Sequence, residues 1–174
     1  MSSPHLLRLS QHEPLLSHGG VVVFGVPGEH RRGPTLLVQS PVLRFHLEEV
    51  ADEVERVVFI EGSAPNAATL ATISAMLSAM GAEDGLVRFE MAAEAVKLTR
   101  DPQIDRTTPG ARLLIHRGVD RSTVVSFRPP EALRVSAILA ALATTPSESW
   151  VNPAGLVVAN GGRIETYPRI PSNH

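Results

Sequence analysis

The stretch "RVVFIEGSAPNAATLATISAML", residues 56–77, decides the fold. It opens on Val57, Val58, Phe59 and Ile60, β-branched or aromatic residues that favour extended backbone. A turn follows, then a run of small and apolar residues that fits two periods. As a helix, Leu70, Ile73, Leu77 and Met80 fall on one face at three- and four-residue spacings. As a strand, Ile73, Ala75, Leu77 and Ala79 oppose Thr72, Ser74 and Ser78, with Met76 as the only apolar intruder on the polar side. A helix here makes a strand–loop–helix unit, whose loop suits an anion at the helix N-terminus. A strand makes the protein mainly β. Downstream, "GAEDG" (81–85) is a turn with an Asp-Gly step, followed at once by the strand-like "LVRFEM". Run, turn and strand together read as a hairpin, and this context favours the strand.

The same alternation recurs on both sides. "GGVVVFGV" (19–26) is a buried strand between glycines, and "PGEHRRGP" is a loop punctuated by Pro27, Gly28, Gly33 and Pro34. "TLLVQS" is another strand. In "PVLRFHLEEV", Leu43, Phe45 and Leu47 alternate with Arg44, His46 and Glu48, the pattern of a half-buried strand. "ARLLIHRGVDRSTVVSFR" (111–128) reads as a hairpin about "RGVDR". In "PPEALRVSAILAALATTP" two prolines fix a helix entry, Glu131 falls in the first turn, and Leu133, Ile138, Leu139 and Leu142 form an apolar stripe. The expected fold is mainly β, a two-layer sandwich with one C-terminal helix, with α/β as the alternative. Residues 1–18 are expected to be a loose segment with one edge strand, 19–146 the domain, and 147–174 a last hairpin ("GLVVAN", then "RIETYP") or a mobile tail.

Composition narrows the function classes. The chain has 174 residues and 43% hydrophobic content, enough for one cored domain. With 18 acidic against 16 basic residues it lacks the broad basic surface of a nucleic-acid binder. Cysteine is absent, which removes disulfides, thiol nucleophiles and Cys-ligated zinc from consideration. No apolar run approaches the ~18 residues of a membrane span, and "MSSPHLLRLSQHEPLL" does not read as a signal peptide. The expectation is a cytoplasmic protein with neither membrane span nor nucleic-acid partner.

Several of these units resemble, in order, the TerD-type tellurium-resistance and stress-response family. Phe45, Leu47, Val50, Val54, Val57, Val58 and Phe59 follow that family's succession of two strands across an acidic link. Arg88, Phe89, Glu90 and Met91 are similar to its "ARYDL" strand ending, and Leu114, His116, Arg117, Phe127 and Arg128 to its closing hairpin. The resemblance covers about residues 19–128 and rests on spacing and residue class. It implies a β-sandwich that works by binding or assembly rather than turnover, with calcium held in acidic loops. The matching loops here offer only Glu13 and Glu29, whereas calcium takes six to eight oxygen ligands. No cofactor is therefore expected unless the family's calcium function is retained.

Candidate sites follow from residue type. "GSAPNAAT" supplies Ser63, Asn66 and Thr69 as an anion loop if a helix follows; with one glycine and no lysine it is not a P-loop, and the plain alternative is an ordinary turn. Glu29 with His30, and His46 with Glu48 on one strand face, are the right ligand types for a metal, against solvated surface residues. No G-x-S-x-G elbow is present, and no catalytic residue is assigned. Trp150 and Leu142, an aromatic beside an apolar helix face, are candidate anchors for a protein partner or for self-association. The alternative function is an α/β enzyme, or a nucleotide- or phosphate-binding domain, that uses the 62–69 loop.

Overall fold

The computed structural model of the chain describes residues 5–8, 20–32, 35–91, 96–99, 115–119 and 125–168. Two hydrophobic strands set the architecture. β2 (Val21–Val26; β1, His5–Arg8, lies at its edge) is buried at all six positions, and β6 (Arg56–Glu61) from Val57 to Ile60. A strand that is apolar on both faces needs a covering layer on each side. The two pair in parallel, Val22 opposite Val57 and Phe24 opposite Phe59. Parallel neighbours cannot be joined by a tight turn and require a crossover. That crossover carries the short strands β3 (Arg31–Arg32), β4 (Thr35–Leu36) and β5 (Val38–Gln39), then helix α1 (Ser40–Val50).

Helix α2 (Ala67–Ala79) follows β6, and strands β7 (Gly85–Met91) and β10 (Val125–Arg134) extend the sheet. Helix α3 (Val135–Leu142), the two-residue strand β11 (Trp150–Val151), helix α4 (Pro153–Ala159) and strand β12 (Ile164–Tyr167) complete it. The six-stranded sheet runs β1-β2-β6-β10-β7-β12, with β1 antiparallel to β2, β10 antiparallel to β6, and β12 parallel to β7. One face carries Val22, Phe24, Val57 and Phe59 against α1, α3 and α4; the other carries Val21, Val23, Val58 and Ile60 against α2. This is a three-layer α/β fold with a mixed sheet, and it replaces the expected β-sandwich. The chain divides into two compact units, residues 1–88 with 127–174, and residues 89–126. The second contains an antiparallel pair of β8 (Val96–Thr99) and β9 (Ile115–Val119).

Each departure from expectation has a local cause. Residues 43–48 are helical: Leu43 and Leu47, four apart, satisfy a strand period of two and a helix period of 3.6 equally well. Val50, also buried, continues the helical series, while Phe45 is 60% exposed. Residues 67–79 are helical because Asn66 caps them and Ile73, Met76 and Leu77 bury together on the sheet. Met76, the intruder on the strand reading, belongs to the helix's buried face. The turn at 81–85 therefore joins a helix to β7. Residues 129–134 are strand, not helix entry, and α3 begins only at Val135. "GLVVAN" lies largely in α4, capped by Asn152, whose side chain accepts from the Gly155 amide. Among the described residues β9 pairs with β8 and lies in a different sheet from β10, so the hairpin expected at 111–128 is not observed there.

Strand β10 places Glu131 opposite Phe59, and its side chain is wholly buried. One carboxyl oxygen accepts from the Ala154 amide at the start of α4 (3.3 Å); the other has no partner among the described residues. Burial raises this carboxyl from the ordinary 4.5 to about 7, and the Ala154 hydrogen bond offsets part of the rise. The folded state therefore holds a proton that the unfolded chain releases between pH 4.5 and 7. The resulting stability is present at the acidic end and is lost as pH rises through about 7, a change of about 3 kcal/mol. Glu131→Gln is expected to gain about that much relative to wild type between pH 4.5 and 8 in urea melts. A difference independent of pH would show that the carboxyl does not titrate in this window.

Candidate functional site

The parallel pairing brings the carboxyl ends of β2 and β6 to one edge, the place where open α/β sheets bind ligands. Pro27 and a 3-10 turn (Gly28–His30) follow β2; residues 62–66 follow β6. The two loops are laced through their backbones. The Gly62 amide donates to the Val26 carbonyl at 2.8 Å. A Cβ at Gly25 would lie 2.5 Å from the Gly62 carbonyl oxygen, so only glycine permits this approach. Gly62 itself has φ +96°, in the left-handed region.

An ion pair closes the edge. Arg31, just past the turn, donates from Nη1 to Glu61 Oε2 at 2.6 Å, both side chains being partly exposed. Glu61 is the last residue of β6 and the only one of its final five that is not buried. On the α2 side lies a cleft of about 370 Å³, lined among others by Glu61, Asn66, Thr69, Thr72, Arg88 and Pro129. Asn66 Oδ1 accepts from the Thr69 amide at 2.8 Å and so fixes the first turn of α2. The first-turn amides and the helix dipole make this end of the cleft electropositive, and Arg88 adds a formal cation. On the other side of the ion pair is a cleft of about 440 Å³, lined by Glu29, His30, Arg31, Leu37 and Trp150.

The sequence candidates fall as follows. Asn66 and Thr69 line the first cleft, and Ser63 is exposed on the same loop without lining it. Glu29 and His30 sit together on the turn, 3.8 Å apart. His46 and Glu48 do not share a face, because helix positions two residues apart point about 200° apart. His46 instead meets Glu49 (3.3 Å), and Glu48 pairs with Arg44 (2.7 Å). No group of three or more His, Cys, Asp or Glu suited to a metal occurs among the described residues. Leu142 is buried in the core against the sheet and presents no surface, whereas Trp150 is half exposed. Glu61, Arg31 and Arg88 were not among the site residues expected from the sequence. The available signal was Glu61, a carboxylate that ends a buried strand.

No family model and no curated protein matches this sequence. Solved structures do. A 4-diphosphocytidyl-2C-methyl-D-erythritol synthase aligns over 79% of this chain and 60% of its own, at 16% identity and TM-score 0.51. The synthase of the same name from Anaerococcus prevotii DSM 20548 aligns over 76% and 59%, at 13% identity and TM-score 0.55. The chain shares the fold of these synthases. It spans about 60% of their length. The TerD-type resemblance is overturned with the sandwich that it implied, since residues 43–48, which carried part of it, are helical, and so are residues 67–79, where a strand was expected. The tellurium-resistance and non-catalytic stress-response reading falls with it.

Two substitutions test how this edge is built. Gly25→Ala forces a methyl group against backbone and is expected to cost about 1–3 kcal/mol in chemical denaturation. Asn66→Ala removes the α2 cap and is expected to cost about 1 kcal/mol, with Asp at that position restoring most of it.

Proposed function

We propose that this chain is a nucleotide-binding domain that receives the phosphates of a cytidine nucleotide in the cleft beside α2. The observation that carries the reading is the cleft itself. It lies beside the carboxyl end of β6 and combines the capped N-terminus of a 13-residue helix with Arg88 and the hydroxyl of Thr69. Backbone donors, a helix dipole and a guanidinium together suit a phosphate. The cytidine part of the reading comes from the solved synthases, whose names carry a diphosphocytidyl group. Glu61 is the one carboxylate lining this cleft among the described residues, and Arg31 pairs with it.

Within this reading the 62–69 loop is the phosphate loop, with Asn66 shaping it and Thr69 facing the ligand. A nucleotide ligand implies a cytoplasmic site of action. No helix among the described residues is long and apolar enough to cross a membrane.

Calorimetric titration and thermal-shift measurement with cytidine triphosphate test the proposal. At hundredfold saturation a ligand stabilises by about 2.7 kcal/mol, which for a chain of this size raises Tm by roughly 5–10 °C. Arg88→Glu is expected to abolish the shift while leaving the unliganded Tm within about 2 °C, since an exposed position tolerates substitution. No shift with any cytidine phosphate would refute the reading.

A further inference from the structure

The 440 Å³ cleft bordered by Arg31 has no part in the phosphate site, yet one of its walls is a half-exposed aromatic, Trp150. Trp150, 50% exposed, is held at both ends of its strand. It pairs with Gln39 across the β5–β11 ladder, and the neighbouring Ser149 carbonyl accepts from the Ser40 amide at 2.7 Å. The His30 ring lies against the indole, centroids 4.9 Å apart and planes inclined by 36°. His30 is itself fixed, because its carbonyl accepts from the Leu37 amide at 2.8 Å and its side chain is only 15% exposed. The result is an aromatic shelf whose orientation is set before any ligand arrives.

We propose that this cleft receives the heterocyclic base of a nucleotide, stacked on Trp150. The proposal rests on the nucleotide reading above. Three features favour a base over a plain apolar ring. The volume lies within the range of small-molecule sites. Leu37 and Trp150 supply the apolar contact for a flat ring. Glu29 and Arg31 supply a hydrogen-bond acceptor and donors at the rim, and a base edge presents both kinds of group. Placement agrees with this choice. Arg31 lines this cleft while its partner Glu61 lines the phosphate cleft, so one ion pair borders both.

Trp150 is the only tryptophan of the chain, so its fluorescence reports this cleft without labelling. Cytidine and adenosine, nucleosides without phosphate, are expected to quench it saturably, and ribose 5-phosphate to leave it unchanged. By calorimetry, Trp150→Ala is expected to weaken cytidine monophosphate binding about ten- to hundredfold, the usual worth of one base–aromatic stack, while Trp150→Phe keeps most of the affinity. Pyrophosphate affinity should be the same in both variants and in wild type. Pyrophosphate binding without nucleoside quenching overturns the base shelf and leaves the phosphate site standing. Nucleoside quenching without pyrophosphate binding does the reverse. Unchanged nucleotide affinity in Trp150→Ala, with a change in molar mass by light scattering, overturns the shelf and assigns Trp150 to a contact between chains.

Discussion

The parallel pairing of β2 with β6 is the constraint from which the rest follows. Two strands with continuous buried apolar runs side by side need layers above and below, and α1, α3 and α4 on one face and α2 on the other supply them. Parallel direction also forces both chains to leave the sheet at the same edge. The turn after β2 and the loop after β6 therefore meet, and they bring Arg31, Glu61 and the start of α2 together, while Arg88 reaches the same cleft from β7. Had these strands run antiparallel, the Arg31 and Glu61 ends would lie at opposite edges of the sheet, and neither cleft would exist.

How much of this was legible depended on which residues discriminate between periods. The buried strands were plain, because Val21–Val26 and Val57–Ile60 are continuous apolar runs that only a covered sheet can bury. The helices were not. Leu43 and Leu47 fit both periods, and the deciding residues were Val50, which is buried, and Phe45, which is not. In α2 the decisive signals were Met76 and the Asn66–Thr69 cap, whereas the following turn and strand argued for a hairpin. The turn was correctly read as a turn; what sequence could not fix was the element that entered it. Propensity favoured the helix there, and the local context outweighed it wrongly.

The candidate site was partly visible. Asn66 and Thr69 were identified as an anion loop conditional on a helix, and the condition is met. Arg31 and Arg88 come from segments remote from Glu61, one pairing with it and the other lining the same cleft, and no local pattern encodes either contact. Glu131 shows the same limit in the core. Its place after two prolines suggested a helix's first turn, where a carboxylate is solvated and stabilising. Strand β10 instead buries it opposite Phe59, and burial raises the pKa of a carboxyl that would be ordinary at the surface.

The contact between Gly25 and Gly62 has one more consequence. The course of residues 62–66 is dictated by main-chain atoms, through the Gly62 amide, the Val26 carbonyl and the absence of a Cβ at Gly25. Side chains at Ser63 and Ala64 take no part in that scaffold. Their identities can drift, or be chosen by an engineer, without the rim losing its shape, and a new ligand preference can be written there on a frame that stays fixed.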